Sequence, residues 1–172
     1  RAAQQQGRND EARQLFVRIA AEHSFYGRLA AEEVGQTLSL PRAVAIETRE
    51  SQAAANHPGL RRALALFERN MRVEGVREWN YATNLVNAQG QSGLMTDREL
   101  LAAAQLACEH QVWDRCINTS ERARTVIDFD QRFPMPFKDA VIQRARNINL
   151  DPAYVYGLIR QQSRFIMAAR SG

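Results

Sequence analysis

The chain has 172 residues and a formal net charge of +4, and all but one of its 23 basic residues (Lys138) are arginine. The apolar fraction of 45% is enough to build a core. No apolar run approaches the ~18–20 residues of a membrane span. The arginines are scattered along helical stretches rather than clustered, which fits solvated helix faces and a modest attraction to polyanions better than a nucleic-acid interface. No glycine-rich phosphate loop, Ser/His/Asp set or Cys/His metal spacing is present.

In chain order, residues 9–22 read as an amphipathic helix with Ala12, Leu15, Phe16, Ile19 and Ala20 on its stripe. Ser24 is placed to cap the next helix, which carries Phe25, Tyr26, Leu29, Ala30 and Val34 and stops at Gly35. Two helices with so tight a turn make a helical hairpin, the unit of superhelical arrays. Residues 36–57, with Pro41 and an alternating Val44/Ile46, fit either an extended segment or a frayed helix and read as a connector.

Asn56-His57-Pro58 then starts a helix with Leu60, Ala63, Leu64, Phe67 and Met71 inward. Gly75 reads as a break before a further helix through Val76, Trp79, Ala82, Thr83 and Val86, and Gly90 and Gly93 mark a turn. Thr96-Asp97-Arg98-Glu99 is a capping box ahead of Leu100, Leu101, Ala104 and Ala107. A helix over 112–123 follows, with Trp113, Cys116 and Ile117.

Cys108 and Cys116 fall on either side of the turn near His110, so they should face each other across a hairpin. Both a disulfide and two buried thiols fit that placement. Pro134 and Pro136 forbid a continuous helix, and a short helix from about Phe137 to Arg146 comes next, with Ala140, Val141 and Ala145 inward. Phe25, Tyr26, Trp79, Tyr81 and Trp113 could stack on sugars, but aromatic residues at helical spacing usually serve a core, and none is assigned to a site.

The last stretch, 151–172, holds the anomaly. Asp151 and Pro152 are a helix start. Val155, Leu158, Ile159, Phe165 and Ile166 fall on one stripe, and Gln162 lies on the same stripe, seven residues after Val155. An unpaired amide in a buried stripe costs roughly 1–3 kcal/mol. Gln162 is therefore either a core amide with partners or a group retained for chemistry.

Arg160-Gln161-Gln162-Ser163-Arg164-Phe165, followed by Ala169-Arg170-Ser171-Gly172, resembles the catalytic helix of soluble lytic transglycosylases with goose-type-lysozyme-like catalytic domains. That family has glutamate where this chain has Gln162. Ser24 to Gly35 resembles the last portion of the family's α-superhelix, and the Arg-Phe-Pro at 132–134 resembles its domain boundary.

The resemblance implies an all-α protein in three parts. Residues 1–57 would end a superhelical domain, 58–133 would form a helical linker domain, and 134–172 would begin a lysozyme-like catalytic domain that continues in a longer protein. It implies a lyase that cuts the β-1,4 bond between N-acetylmuramic acid and N-acetylglucosamine in peptidoglycan. The glutamate protonates the leaving oxygen and then takes the proton of the sugar's own 6-hydroxyl, which closes a 1,6-anhydro ring. One carboxyl plays both parts that most glycosidases divide between two.

Gln162 then stands at the acid's position, Ser171 at the offset of the serine that orients the acid, and Ser163 beside them. Glutamine keeps the shape but has no proton to transfer, so the chain as written should be inert, most simply through an acid-to-amide substitution. No cofactor or metal is expected. Expected partners are glycan strands, muropeptides and other cell-wall enzymes in the periplasm of a Gram-negative bacterium. The alternatives are a tetratricopeptide-like scaffold that binds proteins without chemistry, and a natural pseudo-enzyme that binds glycan without cutting.

Overall fold

The computed structural model describes residues 2–37, 43–84 and 95–170. Eleven helices lie among them: α1 (Ala2–Gln5), α2 (Asn9–Ile19), α3 (Phe25–Val34), α4 (Thr48–Asn56), α5 (Pro58–Glu68), α6 (Arg72–Thr83), α7 (Asp97–Glu109), α8 (Trp113–Ser120), α9 (Phe129–Arg132), α10 (Lys138–Asn147) and α11 (Pro152–Ser163). No strand occurs among the described residues, so the protein is all-α as expected. Contacts divide it into two compact units, residues 1–40 and 41–172. Val86, Gly90, Gly93 and Pro41 lie outside the described residues.

The first unit is a helical hairpin. Ser24 caps α3 by accepting the Gly27 N–H at 3.0 Å. Gly27 also sits where a Cβ would come within 2.1 Å of the Glu22 carbonyl oxygen, so the tight turn into α3 requires glycine there. Gly35 ends the helix in the left-handed region, at φ 72°, with the Gln36 N–H closing back onto the Ala31 carbonyl. The core is small: Ala20, Ala30 and Ala31, flanked by Phe16, Ile19 and Val34. Phe25 and Tyr26, expected inward, are about 70% exposed and form an edge-to-face pair. They occupy the first turn of α3, whereas the hairpin closes further along on alanines that let the helices approach.

The second unit is built around Trp79, which is fully buried among Leu60, Ala63, Ala82, Ala103, Ala107 and Cys116. Its indole N–H donates to the Thr119 hydroxyl at 2.9 Å, so the one polar group of the ring is satisfied. His57 and Pro58 start α5 as expected, with the His57 ring nitrogen accepting the Leu60 N–H. Thr96 and Glu99 form the expected capping box.

One expectation fails here, and one stretch left open is resolved. Gly75 lies inside α6 instead of breaking it; a Cβ there would meet the Phe67 ring at 2.9 Å, so the glycine serves close packing of α5 on α6. The connector contains α4, started by a capping box between Glu47 and Glu50. Glu50 is held to Arg98 of α7 by a bidentate ion pair, and Ala54 joins the Trp79 cluster, so α4 belongs with the second unit.

Several helices end in the same way. Asn70 after α5, Gln111 after α7 and Asn149 after α10 take left-handed φ values of 59°, 58° and 54°. In each case the next residue's N–H bonds to a carbonyl five residues back. These endings turn the chain sharply and stack helices as antiparallel neighbours. Across the α7–α8 turn Cys108 and Cys116 are bridged, with Cα atoms 5.1 Å apart. The expected break occurs at 133–137, where Pro134 and Pro136 are buried and Phe137 takes a left-handed φ of 57°.

Candidate active site

α11 begins as its sequence dictates. The Asp151 carboxylate accepts the Ala153 N–H at 2.8 Å, and Pro152 takes the first helical position. It ends in two consecutive left-handed residues, Arg164 at φ 48° and Phe165 at φ 63°. Neither is glycine, and each such conformation costs of order 1–3 kcal/mol, sustained only by surrounding structure. The sustaining contact is visible: the Phe165 side chain is buried with Ile117 and Tyr156, against Trp113, Val141 and Ile159.

The helix's inward face is Val155, Tyr156, Ile159, Arg160 and Ser163. The Tyr156 hydroxyl donates to the Pro136 carbonyl at 2.9 Å, and burial pushes its pKa up. Arg160 is the more consequential. Its Nε–H donates to the Arg132 carbonyl at 2.8 Å, and its Nη2 reaches a Glu121 carboxylate oxygen at 2.5 Å. Its guanidinium lies 4.6 Å from the Phe133 ring centroid. Arg164 meets the other Glu121 oxygen at 3.4 Å. Arg132 in turn donates to the carbonyls of Ser120, the last residue of α8, and Ala123 just beyond it, so one chain of contacts runs from the end of α8 through α9 to α11.

This rotation corrects the expected stripe. Gln162 is exposed, as is Leu158 at 50%, and Tyr154 at 66% shares their side. A stripe through Leu158 and Gln162 counts arginine as an outward residue; Arg160 turns inward because a carbonyl, a carboxylate and an aromatic face receive it. Gln162 is thus a polar group on an open, partly apolar face of the described residues.

The Ser163 hydroxyl donates back to the Ile159 carbonyl at 3.2 Å, within its own helix. Ser171 lies outside the described residues. A space of about 490 Å³ beside the end of α11 is lined by Phe67, Arg72, Trp113, Asp114, Phe165 and Met167, but not by Gln162. Among the described residues no group of three or more His, Cys, Asp or Glu could hold a metal ion. An amide in the Gln162 position can donate and accept hydrogen bonds but cannot deliver a proton. Sequence reasoning missed Arg160, Glu121 and Tyr156; the signal for Glu121 lies in a contact spanning 39 residues, which no local pattern carries.

No family model matches the chain. It is 24% identical over 161 residues, 92% of its length, to the soluble lytic murein transglycosylase of Salmonella typhimurium, of which it spans 23%. A solved structure of an inactive glutamate-to-glutamine mutant of a lytic transglycosylase from Pseudomonas aeruginosa matches with 32% identity and a TM-score of 0.72, over 93% of this chain and 25% of that one. The 70-kDa soluble lytic transglycosylase of Escherichia coli shares the fold at 20% identity, with a TM-score of 0.68 over 98% of this chain and 26% of that one.

Proposed function

We propose, for a chain that resembles soluble lytic murein transglycosylases over about a quarter of their length, that it is the part of such an enzyme that carries the catalytic helix. The substrate is peptidoglycan. The bond cut is the β-1,4 link between N-acetylmuramic acid and N-acetylglucosamine, and the product ends in 1,6-anhydro-N-acetylmuramic acid. The setting is the periplasm of a Gram-negative bacterium.

Gln162 occupies the position of the acid. With glutamate there, the carboxyl gives its proton to the leaving oxygen as the glycosidic bond breaks. The carboxylate left behind takes the proton of the sugar's 6-hydroxyl as that oxygen bonds to the anomeric carbon. The same residue thus ends protonated and ready for another turnover, and no water is consumed. With glutamine the first step has no proton to deliver, and the chain binds without cutting.

The single observation that carries this reading is the arrangement of the 160–165 run. Arg160 and Phe165 anchor inward, and Gln162 between them is turned out at the end of α11, beside exposed Leu158. An open face suits a group that must meet a polymer. Because position 162 is exposed here, the desolvation that keeps a carboxyl protonated near neutral pH must come from a bound glycan strand and from further parts of the catalytic domain. Ser171 remains part of the proposal as the orienting hydroxyl. Ser163 remains part of the proposal too: its hydroxyl donates to its own helix and keeps its acceptor lone pairs for a glycan hydroxyl.

The domain assignment is likewise proposed: superhelix end, linker domain and catalytic start. The packing of α4 on the second unit favours moving the first boundary from 57 to near 40. Digestion of purified sacculi by the complete protein tests the reading: Gln162→Glu should release anhydromuropeptides and the parent none.

A further inference from the structure

We infer that Glu121 is a positioning residue for the chemistry, a carboxylate clasp on Arg160 and Arg164 that sets the rotation of α11 and so the outward aim of position 162. The catalytic consequence rests on the function proposed above; the structural part does not.

The geometry is specific. Glu121 is the residue on which α8 ends, and its N–H closes onto the Ile117 and Thr119 carbonyls. Its two carboxylate oxygens are divided between two arginines, Arg160 at 2.5 Å and Arg164 at 3.4 Å. These arginines are four residues apart, so they stand one above the other on one side of α11. At 3.6 residues per turn, a residue two along from Arg160 and two before Arg164 faces roughly the opposite side. That residue is Gln162. Holding both arginines inward and turning position 162 outward are therefore the same rotation.

Low exposure and two further contacts favour a fixed rotation over a mobile surface pair. The Arg160 side chain is only 19% exposed. Its Nε–H is committed to the Arg132 carbonyl, and its Cζ lies 4.6 Å from the Phe133 ring centroid. A planar, forked cation held at three points is preorganised in a way that a lysine would not be. Without the Glu121 charge, two guanidinium groups one turn apart repel, and the remaining carbonyl and ring contacts hold Arg160 alone. Arg164 then loses its carboxylate partner, and the rotation of the last turn rests on the buried Phe165 alone. A displacement of about 1 Å at a reacting group can cost on the order of 100-fold in rate.

The test uses the complete protein in two backgrounds. In the acid-restored Gln162→Glu enzyme acting on soluble glycan strands, Glu121→Gln should lower kcat by about 10-fold or more with KM within about twofold. Glu121→Asp, which keeps the charge, should recover part of the loss. In the unrestored protein, Glu121→Gln should speed amide hydrogen exchange across 155–164 while leaving α5 and α7 unchanged.

Unchanged exchange together with unchanged kcat overturns the inference. So does a loss of kcat that comes with a rise in exchange throughout the second unit, since that is general destabilisation. If the Gln162→Glu parent itself releases no anhydro product, the proposed function fails, and the exchange arm still decides whether Glu121 sets the helix.

Discussion

Replacing Cys108 and Cys116 together by alanine should destabilise the second unit by about 2.5 kcal/mol, the chain-entropy figure for so short a loop, the two cysteines being 8 residues apart. Alanine is the right substitute because Cys116 is fully buried. A serine hydroxyl there would add its own unpaired-polar cost of about 1–3 kcal/mol and obscure the bridge. For a chain of this size the loss corresponds to a fall in Tm of about 5–10 °C. The assay is thermal unfolding followed by far-ultraviolet circular dichroism, with and without dithiothreitol. The parent should drop towards the double variant when reductant is added, and the double variant should not respond. Equal Tm values for the parent in both buffers, with two thiols titrating in the native non-reduced protein, would mean that the bridge does not stabilise the fold.

Gly59→Ala should destabilise despite alanine's better helix propensity: the added Cβ would lie 2.7 Å from the Ala82 Cβ, and overpacking costs about 1–3 kcal/mol. Adding Ala82→Gly should restore part of the loss, and denaturant midpoints of the single and double variants check it. Tyr156→Phe leaves the Pro136 carbonyl without its donor and should cost about 1–2 kcal/mol, read from the same midpoints. The Asp97 carboxyl is held below the ordinary aspartate value, first by the Thr125 hydroxyl and then by backbone N–H groups of Thr125 and Arg124. Its contribution is therefore present above the ordinary aspartate value and lost as pH falls through the lower folded value. The Tm of Asp97→Asn should fall less steeply than the parent's below about pH 4, and parallel curves would count against this.

What was legible in the sequence was mostly local. Ser24, the Thr96/Glu99 box, His57-Pro58 and Asp151-Pro152 start helices because their chemistry acts within one turn. The cysteine pair and the break at Pro134–Pro136 follow from turn geometry and proline sterics. The rest was not legible for nameable reasons. α4 is polar and alanine-rich and starts on a glutamate, so neither its stripe nor its cap stands out; its pairing with Arg98 holds it in place. Gly75 looks like punctuation until Phe67 is seen against it.

The face of α11 is not legible locally because Arg160 is drawn inward by partners 28 and 39 residues away in sequence. With Arg160 counted as inward, the stripe shifts to Tyr156 and Ser163, and Gln162 comes out. The motif thus located the candidate residue, while the contacts decided which way it faces.

The most direct measurement is mass spectrometry of muropeptides released from purified sacculi by the complete protein, as it stands and with Gln162→Glu. The parent should bind sacculi and release nothing, while Gln162→Glu should release chains ending in 1,6-anhydro-N-acetylmuramic acid. Equal release by both proteins, or release of hydrolysed reducing ends in place of anhydro ends, would contradict it.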